Sequence, residues 1–577
     1  MKFDFESIRQ RLAYMDALPL LSVLGILSGL LSGAVILLFR LLVEGVLALG
    51  LDGSAENFEQ LPAMAYFLLP ALGALILGVW FHFIPIELRR NGVGYVVERF
   101  NLHQGVIGWR SLLTQFFAGA ISLMSGHPMG REGPAVHLGA AASSLLGQWA
   151  GLPNNSLRIL VGCGCAAAIS ASFNTPLAGV VFAMEVVMLE YSITTFTPII
   201  LSSVAGAGLT RAFYGHAPAF QVQDTTLNTL FELPFLILTG LLIGCLAAAF
   251  VFLTKQIAQR TRQVKVWQRF TAAGILTGAL GFLVPQILGI GYDTVNSAMI
   301  GEIGMAMLIS ITALKLISSS ICAGVGLPGG IIGPSIVIGA TAGGALGHLG
   351  STFLPGVGAN EGFYVVLGMA AMMSATLQAP LAALMALLEL TSNANIIFPG
   401  MLVVVIANLI ASELFRQKGF FQTLLSVQGI ELKMSAFSRH LNRVSVPAVM
   451  ERNFKRVSKK LTIEDAKKTI EESPVWLLVD IEGAPKHILP AADLANYFES
   501  ETYKELPEQP QEINLLEIPA DRENIASVLM SATLKEALDA MDASQANAVY
   551  VKRMNAPNIY RIFGVVTRMD IERFYKR

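Results

Sequence analysis

Uncharged apolar runs recur along this chain, at Leu18–Phe39, Leu61–Ile86, Ile159–Met184, Tyr191–Thr210, Pro234–Thr254, Phe270–Tyr292 and Leu390–Ser412. A helix that crosses a bilayer needs roughly 20 consecutive apolar residues, and each run is long enough. Composition agrees, with 54% hydrophobic and 14% charged residues, mean hydropathy +0.59 and net charge −1, too apolar for an ordinary soluble enzyme.

Charge is spread unevenly. Residues 111–210 hold five Asp, Glu, Lys or Arg, whereas residues 451–550 hold thirty. A polytopic all-α membrane domain over residues 1–434 and a second domain over 435–577 are therefore expected. The amino end, "MKFDFESIRQRLAYMD", is polar and mixed in charge and lacks the pattern of a cleaved signal peptide. Cys163, Cys165, Cys245 and Cys322 lie in apolar runs without metal-ligand spacing and read as small buried hydrophobes.

One run cannot be a simple span. Leu316–Asn360 is uncharged but contains "GVGLPGGIIGPS", and its glycines with Pro328 and Pro334 break a continuous helix. Helices that end at membrane depth are tolerated where protein or a water-filled cavity satisfies the freed backbone, which is how ion sites are built.

The chain also repeats itself. Sliding it by 200 residues lays "GPAVHLGAAASSLLG" on "GPSIVIGATAGGALG", and by 204 lays "SASFNTPLAGVVFAMEV" on "SATLQAPLAALMALLEL", which pairs Glu185 with Glu389. The membrane domain is a duplicated unit, with halves of about 18–215 and 230–430. Within the two blocks Pro134, Pro176, Pro334 and Pro380 each open an apolar helix, where proline costs no hydrogen bond. Four helix starts inside a membrane would turn unpaired N–H groups and partial positive charge toward whatever lies between them, and an anion is the natural occupant.

Just before one of these starts stands the charged pair Arg131-Glu132, inside "SGHPMGREGPAVHLGAA". A carboxylate there can occupy the positive helix end, compete with a diffusible anion and, once protonated, let go: a gate that could also couple anions to protons. The alternative is structural, with Glu132 pairing Arg131 or capping the helix.

Over essentially its whole length the chain resembles the CLC family of chloride channels and proton-coupled chloride antiporters. Gly130-Arg131-Glu132-Gly133-Pro134 resembles the family's GREGP gate motif, Gly330-Ile331-Ile332-Gly333-Pro334 its GxFxP anion loop, and "FNTPLAG" the helix start beyond the gate. The resemblance implies two inverted halves, one anion pathway per subunit, a homodimer, and Glu132 as the external gating glutamate. By the same likeness Asn91, Gly92, Val93, Arg131, Gly133, Ile331, Ile332 and Phe421 are the candidate anion-binding positions, with a structural role for Arg131 weighed beside it.

Departures from the family pattern matter as well. Arg90-Asn91-Gly92-Val93-Gly94, anchored by Glu98 downstream, matches the GSGIP loop but carries Asn91 in place of serine. Its amide can still donate to an anion. Phe421 replaces the central-site tyrosine, Ile332 the usual phenylalanine, and Val186 the second of two glutamates common in antiporters. The inner proton path thus lacks two polar groups, which favours a channel with weak or absent proton coupling over an antiporter. A nucleotide-sensing module on a degenerate membrane anchor is the remaining reading.

Beyond Glu431, "LTIEDAKKTI", "VWLLVD" and "HILPAADL", then "ATLKEALDAM", "AVYVKR" and "IFGVVTRMDI", alternate amphipathic helices with β-branched strands. They resemble a tandem CBS pair, an α/β regulatory module. Thr567 and Asp570 match its nucleotide-holding positions, but the first copy has Pro490 before Asp493, so a structural or dimer-contact role is favoured over adenine-nucleotide binding. Basic residues at Lys2, Arg9 and Arg11, at Lys255–Arg269, and at Arg416 and Lys418 place both termini in the cytoplasm by the positive-inside rule, in a multi-pass cell-membrane protein. Lys315 is expected to be a structural ion-pair member. The expected partners are chloride or other small anions, protons if coupling exists, lipid and a second copy, with no nucleic acid. No enzymatic activity, catalytic residue, metal or required cofactor is expected.

Overall fold

The structure is a computed structural model and describes residues 18–51, 57–215, 220, 229–353, 360–432, 436–504, 511–556 and 559–576. Lys2, Arg9, Arg11 and the expected domain junction at residue 435 lie outside these. The chain forms two compact units, one of Leu18–Ala150 and Leu157–Leu432, the other of Lys433–Arg577 with Gly151–Ser156.

Among the described residues, eight helices are long and apolar enough to cross a membrane: Leu18–Leu47, Ala63–Phe83, Asn154–Phe173, Thr195–Tyr214, Leu233–Thr261, Met305–Val325, Ile332–Ser351 and Ala394–Leu414. They fall into two classes. The Asn154 and Ile332 segments are 94% and 89% buried inside the protein, while Ala63–Phe83 is 33% buried and forms an outer wall. Leu27, Leu38, Leu72 and Ile76 are exposed large hydrophobics on such wall helices, as a lipid-facing surface requires.

Three expected runs are interrupted. Ile159–Met184 breaks where Asn174 takes φ 61° and Pro176 starts a new helix. Phe270–Tyr292 ends as a helix at Leu283, followed by a single turn at Pro285–Ile287. In Leu390–Ser412 the helix from Pro380 stops at Thr391, Ser392 takes φ 51°, and a new helix runs over Ile397–Leu409. Met305–Val325, conversely, is a span that the uncharged runs miss, because Lys315 interrupts the apolar pattern. The Lys315 side chain is fully buried and donates to the carbonyls of Ile287, Gly289 and Ile290 at 2.8–3.2 Å, so backbone dipoles, rather than the expected ion pair alone, receive its charge.

The duplication is visible in the packing. Gly139 and Gly164 face each other so closely that a Cβ on either would meet the other's carbonyl oxygen at 2.4 or 2.2 Å. Gly339 and Gly368 repeat the contact at 2.3 and 2.1 Å. Small residues at a crossing let two helix backbones touch, which is how helices associate where both lipid and protein are apolar. Helix ends recur too, with Asn174 and Gln378 both in the left-handed region at φ 61° and 57°.

The second unit is α/β. Strands β1 (Phe454–Ser458), β2 (Lys460–Thr462), β3 (Trp476–Ile481), β4 (Ala484–Pro490), β5 (Glu512–Asn514), β6 (Glu523–Leu529), β7 (Ala548–Ala556) and β8 (Ile559–Thr567) form a six-stranded sheet of order β1-β3-β4-β6-β7-β8 and a β2-β5 pair. The large sheet is itself doubled: β1 and β3 run parallel and β3 and β4 antiparallel, and β6, β7 and β8 repeat that pattern. Each half has its own core, around Leu477, Val479 and Leu494 in the first and Leu534, Val549 and Val566 in the second.

Candidate functional site

The two GxxGP loops meet. Gly130 and Gly330 form an antiparallel bridge, each N–H donating to the other's carbonyl at 2.8 and 2.7 Å. Helices leave this bridge at Glu132 (Glu132–Trp149) and Ile332 (Ile332–Phe353). Their free amides therefore open onto one small volume between the halves.

Glu132 fills that volume. Its side chain is fully buried, and Oε1 accepts the Gly333 N–H at 2.6 Å. Oε2 is buried and accepts no hydrogen bond among the described residues. A Cβ at Gly130 would lie 2.1 Å from both carboxylate oxygens, and one at Gly330 2.5 Å from the carboxyl carbon. Both glycines are needed for the loops to close around the acid.

Arg131 does not join it. Its guanidinium reaches Glu44 at 3.5 Å and lies 5.7 Å from the rings of Phe173 and Tyr292. Glu44 in turn binds Arg40 at 3.0 Å and accepts from the Tyr214 hydroxyl at 2.8 Å. The charge of Arg131 is thus tied into an ion-pair cluster with Glu44 and Arg40.

Beyond the Gly130–Gly330 bridge lies a cavity of about 570 Å³, lined by Asn91, Gly92, Val93, Met129, Ile331 and Phe421 among others. The helix over Gly92–Leu102 starts at this wall, with Gly92 at φ +68°. The Asn91 amide donates to the carbonyls of Arg89 and Gly326 at 3.3 and 3.4 Å, and the Gly92 N–H to the Gln115 side chain at 3.3 Å. Donors expected to face an anion thus hold protein oxygens. Phe421 presents a ring edge 3.9 Å from where a Gly94 Cβ would sit and packs edge-on against Phe420. Val186 is buried.

The other two proline starts do not point at this site. At Pro176 the amides of Leu177 and Ala178 donate to Glu389 at 2.9 and 2.8 Å, and at Pro380 those of Leu381 and Ala382 donate to Glu185 at 3.3 and 2.7 Å. Each half therefore caps the other's helix. The expectation that all four starts converge on an anion is corrected, because two carry built-in carboxylates. Sequence reading assigned neither acid this role, nor Gln115, although the repeat that aligns Glu185 with Glu389 held the signal.

In the second unit, the Thr567 hydroxyl and N–H donate to Asp570 Oδ2 at 2.6 and 3.0 Å, and the Asp570 N–H donates back to the hydroxyl at 3.2 Å. This reciprocal cap begins the helix Arg568–Lys576. All four cysteines are free, and no cluster of metal-ligating side chains occurs among the described residues.

The family described as voltage gated chloride channel matches residues 72–412, which include both loops and both crossed caps. The putative chloride channel protein ClcB-like of Ralstonia nicotianae is 29% identical over 61% of this chain and 83% of its own length. The H(+)/Cl(−) exchange transporter ClcA of Salmonella paratyphi B is 29% identical over 72% of this chain and 90% of its own. A slow cyanobacterial Cl−/H+ antiporter of known structure shares the fold, with TM-score 0.63 and 21% identity over 71% of this chain and 97% of that one. Two bridged glycine loops, a glutamate closing the gap between two helix starts, and a sequence match over more than half the chain have one reading: the chain belongs to the voltage gated chloride channel, or CLC, family.

Proposed function

We propose that the chain is a proton-coupled chloride exchanger in which the Glu132 carboxylate and a chloride ion take turns at one electropositive site. The observation that carries this is the buried Glu132 carboxylate on the Gly333 amide. A charge-assisted hydrogen bond of this kind is worth about 1.5–3 kcal/mol, so an anion must displace it and a proton on the carboxylate weakens it. Exchange is also the activity named for the Salmonella relative and for the cyanobacterial neighbour.

This reverses the order reached from sequence, where Val186 and Phe421 favoured a channel. The channel remains the second reading, carried by the same two apolar side chains. With no carboxylate at position 186, protons reach Glu132 along water, which a cavity of about 570 Å³ can hold.

The rest of the proposal follows the family likeness: a multi-pass cell-membrane protein with cytoplasmic termini, working as a homodimer with one pathway per copy. The doubled sheet of the second unit suits a tandem CBS pair. Since Thr567 and Asp570 cap each other, we give that pair a structural or dimer-contact role rather than adenine-nucleotide binding.

The test uses chloride-loaded proteoliposomes without a pH gradient, with the potential clamped by potassium and valinomycin. External pH rising as chloride leaves supports exchange. Chloride loss at constant pH supports the channel, and no chloride loss overturns both.

A further inference from the structure

The cavity holds far more charge and space than one chloride needs. Among the described residues Arg89, Arg90, Arg262, Lys265 and Arg269 line it and Glu98 is the one carboxylate, so five positive charges less one negative leave a net of four. Glu98 is committed, since it is buried, pairs with Arg90 and lies 3.7 Å from His103.

The remaining cations form no ion pair among the described residues. Arg89 donates to the carbonyls of Ile84 and His82, each at 3.0 Å, and Arg262 to that of Val427 at 3.1 Å. Carbonyls orient a guanidinium but do not cancel its charge. Arg269 lies with its guanidinium 5.7 Å from the Phe270 ring, and its Nε is buried with no hydrogen-bond partner among the described residues. An unpaired buried guanidinium N–H costs free energy that a bound anion would recover.

We infer that this cavity is a binding site for a soluble polyvalent phosphate, free or carried on a nucleoside, which blocks anion passage by occupying it. Guanidinium groups bind phosphate oxygens in pairs, several cations in a walled recess focus the field, and a monovalent ion would leave most of that charge uncompensated. The inferred block rests on the exchange reading, because it presumes that the cavity is the ion's route.

Calorimetric titration of the purified full-length chain with sodium tripolyphosphate tests binding without reference to transport. Saturable binding is expected, at least about tenfold tighter than sodium sulfate at matched ionic strength, since each well-made Arg–phosphate contact carries about a factor of ten. Arg269→Gln should weaken it by a similar factor and Arg269→Lys restore part of it. Lys265→Gln, an exposed position, gives the second variant should Arg269→Gln fail to fold. Equal affinity for sulfate and tripolyphosphate, or binding unchanged in both glutamine variants, overturns the site. In proteoliposomes tripolyphosphate should inhibit chloride flux from one face only and in competition with chloride. Inhibition from neither face overturns the block, whereas absence of flux without tripolyphosphate contradicts the exchange reading instead. A parallel titration with ATP assigns the source: binding of ATP as well extends the site to nucleoside triphosphates, and binding of tripolyphosphate alone restricts it to the free form.

Discussion

The loops Gly126–Pro134 and Gly326–Pro334 are nearly the same object built twice. Gly126 and Gly326 take φ 69° and 85°, Gly130 and Gly330 pair with each other, and a helix leaves each loop at the same offset. They differ where it counts, for position 132 is a glutamate and position 332 an isoleucine. The backbone of both halves makes the electropositive pocket, and a side chain of one half fills it. Glu185 and Glu389 are the opposite case, present in both halves and each tied to two amides. What is duplicated is scaffold, and what breaks the duplication is working chemistry.

The strongest way to break this contrast is to make the loops alike. Glu132→Ala should raise chloride flux about tenfold or more at neutral pH, as loss of one charge-assisted hydrogen bond implies, and should remove the dependence of flux on pH. In the unaltered chain acid should raise flux, because protonation releases the carboxylate from the Gly333 amide. Flux measured in proteoliposomes across a pH series checks both, and an unchanged acid response in the variant would remove Glu132 from the gate.

The symmetric acids should respond differently. Glu389→Ala or Glu185→Ala leaves two helix-start amides without a carboxylate, at a cost of about 2–4 kcal/mol each. Thermal unfolding in detergent should show a similar loss for the two variants while the acid response of flux survives. Loss of that response in Glu185→Ala alone would make Glu185 a proton-carrying group and end its equivalence with Glu389.

How much of this was legible in the sequence depends on what each residue contacts. The glycine loops, the proline starts and the repeat could be read because they depend on local backbone chemistry and recur at offsets 200 and 204. The helix break at Ser392 escaped the apolar pattern, since a left-handed residue changes direction without changing hydrophobicity, whereas the one at Asn174 was marked by the Pro176 start beside it. The targets of Arg131 and Asn91 could not be read, because their partners Glu44 and Gly326 are distant in the chain, and the crossed caps of Pro176 and Pro380 were marked only by the repeat that pairs Glu185 with Glu389.

Two smaller effects sharpen the comparison. Thr567→Ala removes the cap of the last described helix, and should cost about 1 kcal/mol in unfolding without altering any calorimetric signal for adenine nucleotides. A nucleotide signal that disappears in this variant would make Thr567 a ligand-binding group. Asn91→Ser removes the amide now bound to Arg89 and Gly326 and leaves a hydroxyl at the cavity wall, so permeability ratios among chloride, nitrate and bromide should shift modestly. Identical ratios would place Asn91 outside the ion's path.

The most direct measurement is the reversal potential of the reconstituted chain under opposed chloride and proton gradients, compared with that of Glu132→Ala. If one carboxylate serves both ions, the reversal potential of the unaltered chain moves when pH alone is changed on one side, and that movement vanishes in the variant. A reversal potential that follows chloride alone in both proteins would contradict exchange, and one that still responds to pH in Glu132→Ala would show that protons cross without this carboxylate.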